Sequence, residues 1–188
     1  MKKNKDITIL IIGILLFLIS YILDRQINLF FKNFRFTFFD LIFSIITNFG
    51  VVALVTLMIP SVILYKKNKK SVYLLWSAFI ASFISAFIIK LIVLRQRPID
   101  AFTYPFTNIV NYSFPSLHAM VAFALLPLLL EFLPKQKNFW ISFAFLVGFT
   151  RVYFGFHFLS DVVFGALFGY LAGNYLLDLY EKGKLWFK

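Results

Sequence analysis

The chain has 188 residues, of which 61% are hydrophobic and only 14% charged. A soluble domain carries about 25% charged residues, so this composition excludes a globule wetted on all sides. The chain has no cysteine, which excludes a disulfide framework, a thiolate nucleophile and a thiolate metal site. The net charge of +11 does not signal nucleic acid. No recognition motif accompanies it, and most of it sits as lysines in short segments between apolar runs, the pattern of topology determinants.

The N-terminal stretch, MKKNKDITILIIGILLFLIS, has the basic start and apolar middle of a secretory signal. No A-x-A-like cleavage site follows, and the apolar run continues through Leu23, so it reads as a retained first span over 7–23. Further spans are predicted over 41–65, 72–94, 116–133, 139–155 and 160–180, since roughly 20 apolar residues cross about 30 Å of hydrocarbon. In the fifth, the apolar stretch from Phe139 to Phe149 is short before Thr150 and Arg151 intervene. A backbone in lipid must satisfy its own hydrogen bonds. The expectation is therefore an all-α, polytopic membrane protein with six transmembrane helices in one domain, 1–188. Between the first two spans, Phe30, Phe31, Phe34, Phe36, Phe38 and Phe39 surround Lys32 and Arg35. They read as an interfacial segment in the headgroup layer or, more sharply, as a roof that guides a lipid tail. Gly165, Gly169 and Gly173, four residues apart in the last span, make a smooth face for close helix contact.

Basic residues set the orientation. Twelve lysines and no arginine fall in 1–5, 66–70, 135–137 and 182–188, whereas Arg25, Lys32, Arg35, Lys90, Arg95, Arg97 and Arg151 fall on the other side. The positive-inside rule makes the lysine side cytoplasmic, with both termini inside. Every arginine is then external. A planar guanidinium binds phosphate bidentately, so arginines where the rule disfavours them point to a phosphate ligand.

Three segments gather polar groups at the outer span ends, where ionisable side chains are functional candidates by default. The first runs from Lys90 to Arg97 and Pro98; seven residues are nearly two helical turns, so Lys90 and Arg97 are expected on one helix face, stopped by Pro98. The second is Phe114-Pro115-Ser116-Leu117-His118, where Pro and Ser suit a helix start whose free N–H groups face an anion. The third is Thr150-Arg151, then His157, then Asp161, the last two sharing a face if the sixth helix extends back that far. His118 and His157 are the only histidines.

These segments resemble the type 2 phosphatidic acid phosphatase (PAP2) superfamily, which also contains the vanadium haloperoxidases. The family pattern K-x6-R-P, then P-S-G-H, then S-R-x5-H-x3-D is met in order from Lys90 to Asp161. Leu117 stands for the usual glycine, adding bulk where backbone amides would meet phosphate, and Thr150 stands for serine. The resemblance implies a haloperoxidase-like helical core and a lipid phosphatase of a bacterial cytoplasmic membrane; the lysine distribution puts its site on the outer face. His157 would be the nucleophile forming a phosphohistidine, Asp161 would orient it, and His118 would be the acid and then the base. Lys90, Arg97, Ser116 and Arg151 would bind the phosphate. Implied substrates are a lipid phosphomonoester or pyrophosphate: undecaprenyl diphosphate, phosphatidylglycerol phosphate or phosphatidic acid. No cofactor or metal is implied, and the remaining outer acids, Asp24, Asp40 and Asp100, are too scattered for a two-metal clamp.

Taken singly, Asp161 and Ser116 read as helix N-caps, His118 as an interfacial residue and Arg151 as a snorkelling one; their joint spacing favours chemistry. Asp24, Arg25, Arg95, Asp100 and Tyr104 stay unassigned, with Arg95 open to a second phosphate, a headgroup or a pairing with Asp100. A lipid phosphotransferase that passes the phosphate to an alcohol is the alternative. A transporter would instead place charges near the midplane with inverted-repeat symmetry.

Overall fold

The computed structural model describes residues 2–98 and 111–185, with side chains from Asp6 onward in the first helix. Asp100, Tyr104 and Lys188 lie outside the described residues. Among the described residues there is no strand. The elements are α1 (Lys2–Asn33), α2 (Thr37–Ile46), α3 (Phe49–Ala53), α4 (Ile59–Tyr65), α5 (Lys69–Val93), α6 (Leu117–Phe132), α7 (Lys137–Tyr153) and α8 (Leu159–Glu181). A π-helical stretch, Leu54–Met58, joins α3 to α4.

Helix α6 is the axis of the fold. Its side chains from Ala119 to Leu129 are all buried, and α5, α7 and α8 pack around it. The contact with α8 is made at backbone distance: a Cβ on Gly165, Gly169 or Gly173 would come within 2.7, 2.2 and 2.0 Å of the carbonyl oxygens of Ser116, Met120 and Ala124. The four-residue glycine spacing therefore does what its pattern predicts. The outer faces of α1 and α5 are instead rows of exposed Ile and Leu, among them Ile11, Leu15, Ile22, Ile84 and Ile92, a surface suited to lipid.

Two sequence expectations need correction. The predicted span 41–65 is broken: α2 and the helix Phe49–Tyr65 meet at 53°. Asn48 causes the break, because its Oδ1 accepts from the N–H of Gly50 at 2.8 Å and starts a new helix. The first helix also runs on to Asn33, far past residue 23, so three of the six phenylalanines belong to its end or just beyond it. Helix α2 has no buried residue, as an interfacial segment requires. Three helices among the described residues are long and apolar enough to cross a membrane, α1, α5 and α8, and the bent pair makes a fourth if counted as one. With 16 and 17 residues, α6 and α7 are shorter.

The lysine-rich segments gather at one end. Lys67 and Lys135 line one cavity, Asn68 at the start of α5 donates to the Tyr180 hydroxyl near the end of α8 at 3.1 Å, and Asn174 donates to Asp6 at 2.7 Å. Asp178 there pairs with Lys182 at 2.5 Å, as expected for an acid near the lysine end.

The α6–α8 contact yields a direct expectation. Gly169→Ala forces the two helices apart against the Met120 carbonyl and is expected to cost about 1–3 kcal/mol, read as a lowered thermal midpoint in detergent. An unchanged midpoint would mean that the backbones do not meet there.

Candidate active site

The third motif folds around a short loop. Helix α7 ends at Tyr153, Gly155 takes a left-handed turn (φ 68°), and the N–H of His157 donates to the Arg151 carbonyl at 3.2 Å. His157 therefore sits before α8, not on it, which corrects the expectation of an i, i+4 pair on one helix face. The pairing survives by another route. Asp161 stands in the first turn of α8, where its Oδ2 accepts from the Phe158 N–H at 2.9 Å and lies 3.5 Å from Nδ1 of His157. One carboxylate both caps the helix and backs the imidazole.

The opposite ring nitrogen, Nε2 of His157, lies 3.4 Å from Nη1 of Arg97. A carboxylate facing Nδ1 and an N–H donor facing Nε2 together favour the tautomer with the proton on Nδ1 and the lone pair on Nε2. His157 is 3% exposed. Burial first, then the charges of Arg97, Arg151 and Lys90, push its imidazole well below its ordinary value, so the ring is neutral at neutral pH, with the Nε2 lone pair facing Arg97.

Lys90 and Arg97 converge, but not along a helix. Helix α5 stops at Val93 because Leu94 turns left-handed (φ 52°), four residues before Pro98, an uncommon conformation for a side chain of this kind. The spacing of seven thus spans one helical turn and a reversal. Buried Lys90 donates from Nζ to the carbonyls of Tyr112 at 2.5 Å and Ser113 at 3.4 Å. Arg97 donates to the carbonyls of Asn111 at 3.1 Å and Phe156 at 2.6 Å. The segment 111–113 is itself tied back by Ser113, whose N–H donates to the Arg95 carbonyl at 2.7 Å.

The second motif opens α6. Ser116 is its N-cap residue, fully buried, and its Oγ has no hydrogen-bond partner. Its N–H donates to the Asp161 carbonyl at 3.1 Å, which registers motif two against motif three. Leu117, in the place of the usual glycine, turns its side chain to the apolar core, so its bulk does not fill the space among the cations. His118 packs edge-on against Phe49, with ring centroids 5.1 Å apart, and lies beside the backbone of Thr47. Arg151 donates to the same residue, to Thr47 Oγ1 at 2.6 Å and to its carbonyl at 3.2 Å, and stacks over Phe156.

Thus the described residues bring together all seven of the predicted site residues. Sequence reading missed Thr47, whose signal was the polar Thr-Asn pair interrupting an apolar run. It also left Arg95 and Asp24 unassigned. Arg95 is held by carboxylates: its Nη1 donates to Asp161 Oδ1 and Ser160 Oγ, both at 2.7 Å, and its Nη2 to Asp24 Oδ2 at 2.8 Å. Arg35 lies apart, paired with Asp40 at 3.3 Å on the surface.

Comparison with known proteins agrees with this geometry. A family model described as the PAP2 superfamily matches residues 70–184, a stretch that contains all three motifs. The chain is 34% identical over 86 residues to the bacitracin transport permease protein BcrC of Bacillus licheniformis, covering 39% of this chain and 42% of that one. It is 35% identical over 101 residues to phosphatidylglycerophosphatase B of Bacillus subtilis, covering 48% of each. These matches therefore span less than half the length of either relative. In structure, a transmembrane PAP2 type phosphatidylglycerolphosphate phosphatase from Bacillus subtilis superposes with a TM-score of 0.74 at 20% identity over 98% of this chain and 99% of that one. Aquifex aeolicus LpxE superposes at 0.67 with 26% identity over 83% of this chain and 95% of that one. With the helical fold shared and the family match embracing every predicted site residue from Lys90 to Asp161, this integral membrane chain belongs to the PAP2 superfamily.

Proposed function

We propose that this protein is a lipid phosphatase that hydrolyses a lipid phosphomonoester or diphosphate through a phosphohistidine, without metal. The observation that carries the reading is His157: a neutral imidazole whose Nδ1 is backed by Asp161 and whose Nε2 lone pair opens among Arg97, Arg151 and Lys90. In the first step Nε2 attacks phosphorus and the bond to the lipid oxygen breaks, while His118 supplies the proton that the leaving oxygen takes. Asp161 stabilises the positive charge that develops on the ring, as in a Ser-His-Asp triad. In the second step His118 takes a proton from water, the water oxygen attacks phosphorus, and the P–N bond breaks to release phosphate. Lys90, Arg97, Arg151 and the unpartnered Ser116 hydroxyl hold the equatorial oxygens, where transition-state charge concentrates.

Six membrane crossings by a single domain, 1–188, with the lysine end in the cytoplasm and the site on the outer face of a bacterial cytoplasmic membrane, complete the proposal; the separation of lysine and arginine ends supports it. The names of two relatives make phosphatidylglycerol phosphate the first substrate to test, beside undecaprenyl diphosphate and phosphatidic acid.

In detergent with EDTA present, His157→Ala is expected to lower phosphate release from these lipids by at least about 10³-fold. Release at the wild-type rate would remove His157 as nucleophile, and loss of wild-type activity in EDTA would remove the metal-free route. If labelled lipid as sole substrate gives no free phosphate until an alcohol is added, the protein is a phosphotransferase instead. Thr47→Val, which removes the hydroxyl bonded to Arg151, is expected to lower kcat/KM roughly tenfold, about 1.4 kcal/mol; a change under about twofold in the same assay would show that the guanidinium keeps its place without the hydroxyl.

A pH effect follows from the buried imidazole. His157 is neutral when folded, whereas an unfolded imidazole titrates near about 6.5, so protonation favours unfolding. The stability from this group is complete above about pH 6.5 and declines as pH falls below it. Between about pH 7 and about pH 5, His157→Gln is therefore expected to lose less thermal stability than wild type; an equal or greater loss contradicts the neutral assignment.

A further inference from the structure

Behind the imidazole, on the side away from the phosphate cage, lies a second buried polar cluster contributed by three separate parts of the chain. Asp24, on α1, is 5% exposed. Its Oδ1 accepts from the Ser160 N–H at 2.9 Å, and its Oδ2 from the Ser160 hydroxyl at 2.5 Å and from Arg95 at 2.8 Å. Ser160 is fully buried, as is Asp161. Arg95 stands between the two carboxylates, packed over the ring of Phe158 at 4.1 Å, and its side chain is 21% exposed. Seen from His157, the order outward is Asp161, Arg95, Asp24.

The charges in that order matter. Arg95 binds Oδ1 of Asp161 and so turns Oδ2 toward Nδ1 of His157, which fixes the geometry. Yet a guanidinium on the far oxygen also cancels much of the field that the carboxylate presents to the imidazole, because ion pairs at about 3 Å in a poorly solvated site interact strongly. A neutral Asp161–Arg95 pair would support a developing imidazolium poorly. Asp24 on the other nitrogen of the same guanidinium restores the balance, and the cluster keeps one net negative charge.

We propose that Asp24 is a positioning residue whose charge offsets that of Arg95, so that Arg95 can orient Asp161 without silencing it toward His157. The inference rests on the reading of His157 as nucleophile. It gives an intramembrane helix far from the three motifs a role in the rate of the first chemical step and none in phosphate binding.

The test uses Asp24→Asn, which keeps an oxygen for the Ser160 N–H, and the double variant Asp24→Asn with Arg95→Met. With phosphatidylglycerol phosphate in detergent micelles, Asp24→Asn is expected to lower kcat roughly tenfold and leave KM within about twofold, since the phosphate cage is intact. In the double variant the unbalanced guanidinium is gone, and kcat is expected to rise at least about threefold above the single variant. A cluster serving only to hold the fold predicts the reverse, a double variant slower than the single one. A kcat for Asp24→Asn within about twofold of wild type, a double variant slower than the single, or a single variant without a cooperative unfolding transition each overturns the proposal. Independently of turnover, ¹⁵N spectra of histidine-labelled protein, assigned with His118→Gln, report the His157 tautomer. Wild type is expected to carry the proton on Nδ1, and Asp24→Asn to shift population toward Nε2; an unchanged spectrum also overturns the proposal. If wild-type protein hydrolyses no lipid phosphate, the functional reading fails, and the spectra alone decide the role of Asp24.

Discussion

The approach of α8 to α6 at backbone distance is the constraint on which the rest depends. Three glycines on α8 face three carbonyls on α6, and this admits one register only. That register puts the N–H of Ser116 on the carbonyl of Asp161, so the start of one helix and the first turn of the other become a single platform. His157 and Arg151 enter from the α7 side of it, His118 and Ser116 from α6, and the reversal after α5 lays Lys90 and Arg97 across it. Side chains of ordinary size between α6 and α8 would separate these groups by more than a hydrogen bond's reach.

The platform sorts its charges by the partners it gives them. The hydrogen bonds described from Lys90, Arg97 and Arg151 end on carbonyl and hydroxyl oxygens, of Tyr112, Ser113, Asn111, Phe156 and Thr47, and, for Arg97, on the ring nitrogen of His157. Neutral oxygens orient a cation without cancelling its charge. Arg95, by contrast, ends on two carboxylates. Burying ionised groups is costly unless they are well bonded, and both arrangements meet that cost.

Much of this was legible in the sequence because residue types and spacings limit what can meet. The seven site residues converge, and the glycine period marks the helix contact. The paths by which residues meet were less legible. A spacing of seven suits nearly two helical turns, but Leu94 adopts a left-handed conformation that no residue type at that position announces. His157 and Asp161 were assigned to one helix, whereas a turn at Gly155 brings the histidine in from a loop. Thr47 was hidden in an apolar run taken as one span, since hydropathy averages over a single polar pair. Asp24 and Arg95 are 71 residues apart, and nothing local in either segment names the other.

The burial of α6 has a consequence for how the protein sits among lipids of different thickness. A helix of 16 residues is about 24 Å long, shorter than the roughly 30 Å of hydrocarbon it would have to match if it faced lipid. From Ala119 to Leu129 it faces protein instead. Adjustment to a thicker or thinner bilayer, by tilt or by snorkelling of flanking residues, therefore falls on α1 and α5, whose outer rows of Ile and Leu are exposed. The helix that carries Ser116 and His118 is insulated from hydrophobic mismatch, and the spacing of the chemical groups is set by protein against protein.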